Sequence, residues 1–124
     1  MEYGNQIKLT ERKRQTGASK EICAKFFGNH DSVLIVQDKI YKDLQWVNNF
    51  TGCTPLIKER IIFKGSEKYE EFLNKYNTWY LDVCSEELTK EILLKAFEQN
   101  KTLIGHYQNR KEIKDSNEKF FTNL

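Results

Sequence analysis

The segment Arg14-Gln15-Thr16-Gly17-Ala18-Ser19-Lys20-Glu21 places four consecutive small residues, Thr16 to Ser19, ahead of an amphipathic stretch. Small residues where a helix opens leave backbone N–H groups able to cradle an anion, and the helix dipole adds attraction for negative charge. The side chains nearby point to phosphate. Lys8, Arg12, Lys13, Arg14 and Lys20 crowd this stretch, with Glu11 as the one acid before Glu21. Arginine forks match phosphate oxygens in pairs, which makes Arg12 and Arg14 the preferred ligand-binding side chains. A second chemistry-bearing residue is Asp82, an acid inside the apolar run Trp79-Tyr80-Leu81-Asp82-Val83-Cys84. Each feature also has an ordinary structural role: a solvated charged loop for the basic cluster, a helix start with Ser19 as N-cap, and a strand-end cap for Asp82.

Other chemistries find no residue set. Cys23, Cys53 and Cys84 are widely separated, with no CxxC, so the sequence signals neither a disulfide framework nor a zinc site, and buried thiols are expected. His30 and His106 have no Cys or His close by in sequence. The pairs Glu70-Glu71 and Glu86-Glu87 fall in helical stretches, where adjacent side chains diverge and face water. No GxSxG or HExxH occurs, and no catalytic residue or metal ligand set is assigned.

The elements that must position the turn and the acid follow from an alternation of short apolar runs with amphipathic stretches, the pattern of βαβ units and a parallel sheet. Val33-Leu34-Ile35-Val36 reads as a central strand covered on both faces. Ile40, Leu44 and Val47 then recur at helical spacing after Asp38, an expected N-cap, with Tyr41 and Trp46 flanking that stripe. Ile61-Ile62-Phe63 is a second strand, and Gly65-Ser66 leads into a helix with Tyr69, Phe72, Leu73 and Tyr76 on one face. Trp79 to Cys84 is a third, with Ser85 capping a helix whose stripe is Leu88, Ile92, Leu93 and Phe97. Thr102-Leu103-Ile104 is a weaker strand. Ile7 and Leu9 mark a first strand, followed by a helix with Ile22, Cys23, Phe26 and Phe27 on one face. The expected fold is α/β, a single three-layer domain with a mainly parallel sheet of about five strands and four or five helices. Residues 1–107 form that domain in this reading, and 108–124 form a charged C-terminal tail or helix carrying Ile113, Phe120 and Phe121.

In such a sheet, ligands bind at the carboxyl ends of strands, which places the first strand-to-helix turn where a site is expected. That turn resembles the Arg-Gln-Thr-Gly-Lys-Thr type of Walker A loop of phage terminase and helicase-like P-loop NTPases. In one register Gly17 matches the last loop glycine, Ala18 stands where the family has Lys, Ser19 takes the magnesium-binding hydroxyl position, and Arg12 replaces the first glycine. Matching Lys20 to the Walker Lys instead puts Ser19 at the preceding glycine and Glu21 at the hydroxyl position. Tyr80-Leu81-Asp82 is similar to a Walker B segment, whose acid supports magnesium. The resemblance spans residues 7 to about 104 and implies a P-loop-like fold, a nucleotide with magnesium as the group bound, and Arg12, Arg14, Thr16, Gly17, Ser19, Lys20 and Asp82 as ligand-binding residues. It implies no competent motor: the principal phosphate-binding Lys is missing, and the later strands and arginine finger have no room.

Composition bounds the rest. With 124 residues, 39% hydrophobic and 13% aromatic, the chain suits one domain with a real core, while a mean hydropathy of -0.71 leaves a polar surface. Twenty basic against 18 acidic residues give a net charge of +2, which confines any nucleic-acid role to a local patch. No apolar run approaches the roughly 20 residues of a bilayer span, and a cytoplasmic, membrane-independent protein is expected. The function expected first is a small non-motor protein that binds a nucleotide or other phosphorylated ligand, with enzymatic activity left open. By analogy it would be a phage or mobile-element accessory acting against host defence. The alternatives are a protein-binding inhibitor or adaptor without a small-molecule ligand, and a weak magnesium-dependent NTPase using Ser19 and Asp82.

Overall fold

The described residues form ten elements: β1 (Ile7–Glu11), α1 (Ala18–Phe27), β2 (Ser32–Val36), α2 (Lys39–Asn49), α3 (Pro55–Glu59), β3 (Ile61–Phe63), α4 (Tyr69–Lys75), β4 (Thr78–Ser85), α5 (Glu86–Gln99) and β5 (Thr102–Gln108). The computed structural model describes residues 6–11 and 18–108. Within them the strands form one sheet in the order β1-β5-β4-β2-β3, and every neighbouring pair is parallel. This is the expected single α/β domain.

Two apolar layers flank the sheet. On one face Val33, Ile35, Trp79, Leu81 and Leu103 meet Tyr69, Phe72 and Leu73 of α4 and Leu88, Ile92 and Ala96 of α5. On the other, Leu34, Val36, Ile61 and Tyr80 meet Ile22, Cys23 and Phe26 of α1, with Tyr41, Trp46 and Ile57 of α2 and α3 packed behind. All five residues of β2 are buried, as a strand covered on both faces requires. The helix caps fall where expected: Asp38 Oδ1 accepts from the Tyr41 N–H at 3.1 Å, and Ser85 Oγ accepts from the Leu88 N–H at 3.2 Å. Trp79, fully buried, donates its indole N–H to the carbonyls of Leu73 and Tyr76, which ties the end of α4 to β4.

Three expected helix faces are rotated or trimmed. Ile40, Leu44 and Val47 face outward, 69%, 49% and 64% exposed, and α2 turns Tyr41, Gln45 and Trp46 toward the sheet. The reason is polar: Gln45 reaches a buried carboxylate described below, and satisfying it fixes the phase of the helix. Phe97 of α5 is exposed, and the smaller Ala96 fills the buried position; Phe27 of α1 is half exposed and stacks on Phe50. The helix after Gly65 starts at Tyr69, β5 runs on to Gln108, and the short helix α3 after Thr54 has no counterpart in the periodicity.

The connections leaving β2 and β4 part company. α2 lies on one face of the sheet and α5 on the other, so the chain reverses its winding between these neighbouring strands, the position at whose carboxyl ends α/β sheets take ligands. Gln37, just past β2, links the two strands by accepting the Ser85 N–H at 2.8 Å. Beside it β4 is irregular: Leu81 pairs with Gly105 but Cys84 with Tyr107, so β4 carries one more residue than β5 over this interval. The extra residue is a bulge, a device common next to functional sites. Gly105 permits the close approach that precedes it, because a Cβ there would lie 2.7 Å from the Leu81 Cβ and closer still to its carbonyl oxygen.

Candidate functional site

Asp82 lies at the bulge and is 0% exposed. Trp79 and Leu81 face the α4–α5 layer and Tyr80 faces the α1 layer, so strand alternation sends Asp82 toward α1 and α2. Ser19, in the first turn of α1, donates its hydroxyl proton to Asp82 Oδ1 at 3.0 Å. The Gln45 side-chain amide of α2 donates to Oδ2. A buried carboxylate requires such donors, since an unmatched charge away from water costs several kcal/mol.

Gln45 is held in turn from two helices. Its Oε1 accepts the Cys23 thiol at 3.2 Å and the Asn49 amide at 2.5 Å. Two donors on Oε1 and a carboxylate on Nε2 leave one consistent orientation for this amide. Burial, with the Asp82 charge second, pushes the Cys23 thiol up from 9.0 to about 12, which keeps it protonated as the donor that Gln45 needs. The spacing is helical on both sides: Ser19 and Cys23 are four apart on α1, and Gln45 and Asn49 four apart on α2. A single carboxylate on β4 thus organises two helices at the carboxyl end of the sheet. Cys84, also buried, is likewise shifted upward by desolvation.

Of the residues expected to bind ligand, Ser19 and Asp82 are brought into direct contact, and Lys20 stands exposed next to Ser19 on α1. Arg12, Arg14, Thr16 and Gly17 lie outside the described residues. Among the described residues, the strand that precedes the turn, β1, is at the sheet edge with β5 between it and β4. Gln45, Cys23 and Asn49 escaped sequence reasoning as site residues. The signal for them was Asp82 itself, because an acid in a wholly apolar strand needs buried polar partners on the facing helices.

Magnesium is the ion that the Walker resemblance implies, and the donor set does not fit it. Magnesium demands near-octahedral oxygen ligands and keeps several of its waters. Here the Asp82 carboxylate has no exposed surface, Gln45 takes one oxygen and the Ser19 hydroxyl the other. Among the described residues no group of three His, Cys, Asp or Glu side chains could hold a metal ion, and no helix is long and apolar enough to cross a membrane. Comparison with family models, curated proteins and solved structures finds no match to this chain.

Proposed function

We propose that the protein binds a nucleotide or other phosphorylated small molecule at the turn entering α1, without catalysis. One observation carries the reading: the first turn of α1 is anchored through Ser19 to a buried acid at the carboxyl end of a parallel sheet, where α/β folds take ligands. Arg12, Arg14 and Lys20 supply positive charge, and the small residues Thr16 and Gly17 allow backbone N–H groups to approach phosphate oxygens. The test is thermal stability with nucleoside mono-, di- and triphosphates, cyclic nucleotides and ADP-ribose. A ligand at 100 times its Kd adds about 2.7 kcal/mol, a rise of several degrees for a domain of this size. The rise is expected in wild type and lost in R12A/R14A. No rise with any compound would discard the reading, and turnover abolished by D82A would replace it with a weak NTPase.

A second reading has its own observation. The outward row Ile40, Leu44 and Val47 on α2 is an apolar face of the kind that recognises a protein. It fits an inhibitor or adaptor, and it requires that no phosphate compound stabilises the fold.

A further inference from the structure

We propose that this site takes its phosphate ligand as the metal-free anion, because the Gln45 amide holds at Asp82 the position that a divalent cation would need. The inference rests on the phosphate-binding reading above and deepens it.

In the loops that the turn resembles, a hydroxyl and an acid are useful because they present oxygens to a cation. The same pair here is closed upon itself. The Ser19 hydroxyl points its proton at Oδ1, and the Gln45 amide points one at Oδ2. Among the described residues a neutral donor sits on each oxygen of the carboxylate, and a cation entering there would have to break both bonds. It would also have to displace Gln45 from Cys23 and Asn49, so the barrier includes a network that locks α1 to α2. Gln45 is therefore a positioning residue: it fixes Asp82, and Asp82 fixes the first turn of α1.

The consequence concerns ligand class. Without a cation, the phosphate charge has to be met by protein cations and N–H groups, and Lys20, exposed beside Ser19, is one such cation among the described residues. Cellular triphosphates circulate as magnesium complexes, whereas monoesters and diesters bind magnesium weakly. The site thus favours nucleoside monophosphates and phosphodiesters over magnesium-bound triphosphate.

Two measurements test this, and they fail separately. In the first, Mn2+ alone is titrated into the protein and free Mn2+ is read by electron paramagnetic resonance. Wild type is expected to leave the signal unchanged. Q45E, which adds a second carboxylate oxygen donor beside Asp82, is expected to deplete it. A wild-type site that D82N abolishes would overturn the proposal, and this arm decides the matter even if Q45E does not fold or no phosphate compound binds. In the second, Kd for AMP and ATP is measured with EDTA and with excess MgCl2. Magnesium is expected to leave AMP binding unchanged and to weaken ATP binding; tightening of either by about tenfold, 1.4 kcal/mol, would overturn the metal-free reading. Binding of neither compound under either condition counts against the phosphate reading itself.

Discussion

Asp82 has no exposed surface, and its hydrogen bonds to Ser19 and Gln45 are among the contacts that make that charge tolerable. Replacing Gln45 with Leu keeps the volume but removes the donor to Oδ2 and leaves the carboxylate under-matched. A loss of about 3 kcal/mol is expected for Q45L in urea unfolding. Adding D82L removes the stranded charge, so the double variant should lose much less than the two single changes added together. Additive losses would show that the two side chains do not act as a pair. The thiols give a pH signature. Cys23 is raised from 9.0 to about 12 by burial and by Asp82, so folding favours its protonated form. That contribution to stability is complete below pH 9 and is lost as pH rises toward the folded value, because the unfolded chain releases the proton first. Tm should therefore fall between pH 9 and 11, and C23A should flatten the fall, with Cys84 supplying the remainder. Native alkylation at pH 8 should modify Cys53 first, since Cys23 and Cys84 are buried and Cys53 is partly exposed.

The phase of α2 separates what apolar periodicity reveals from what it hides. The strands were legible because β2, β3 and β4 are continuous apolar runs, which need no partner to be recognised. The Asp38 and Ser85 caps were legible for the same local reason. Ile40, Leu44 and Val47 also form a helical stripe, yet it faces water, because the helix is oriented by Gln45 reaching a carboxylate 37 residues away. Hydrophobic spacing carries no information about such a polar tether. The site was half legible in consequence: Ser19 and Asp82 were visible as residue types, while their partners on α1 and α2 were not. L44K should accordingly change stability by no more than about 0.5 kcal/mol, as an exposed position does. I92A, in the fully buried row of α5, should cost about 2 to 5 kcal/mol. A large loss in L44K would mean that the outward face is covered in solution. Gly105 makes the corresponding point for the sheet. Its missing Cβ lets β5 lie against the Leu81 backbone just before the bulge that carries Asp82. G105A should force the two strands apart and lower stability by at least about 1 to 3 kcal/mol.

At the scale of the molecule, the candidate site hangs between the firmest and the least supported parts of the sheet. β2 lies between β3 and β4 with all five residues buried, and β4 has a neighbour on each side. β1 has β5 as its one neighbour among the described residues, and that pairing joins Ile7 to Leu103 across most of the chain. Closing so long a loop is slow and entropically costly, so an edge strand joined this way should open before the centre does. α1 follows β1 in sequence but packs on β2 and β4 through Ile22, Cys23 and Phe26, and Ser19 binds it to Asp82. The beginning of α1 thus belongs to the core, while the strand before it belongs to the edge. Native-state hydrogen exchange should reflect this division. Amides of β2 and β4 should exchange only through global unfolding, those of β1 by a cheaper local opening, and those of α1 from Ile22 onward with the core. A phosphate ligand seated at the turn would bridge the two regions, so saturation should slow exchange in β1 more than it raises protection against local opening anywhere in β2. Equal protection of β1 and β2 without ligand would mean that the edge is already fixed, and the ligand would then have no ordering of β1 left to perform.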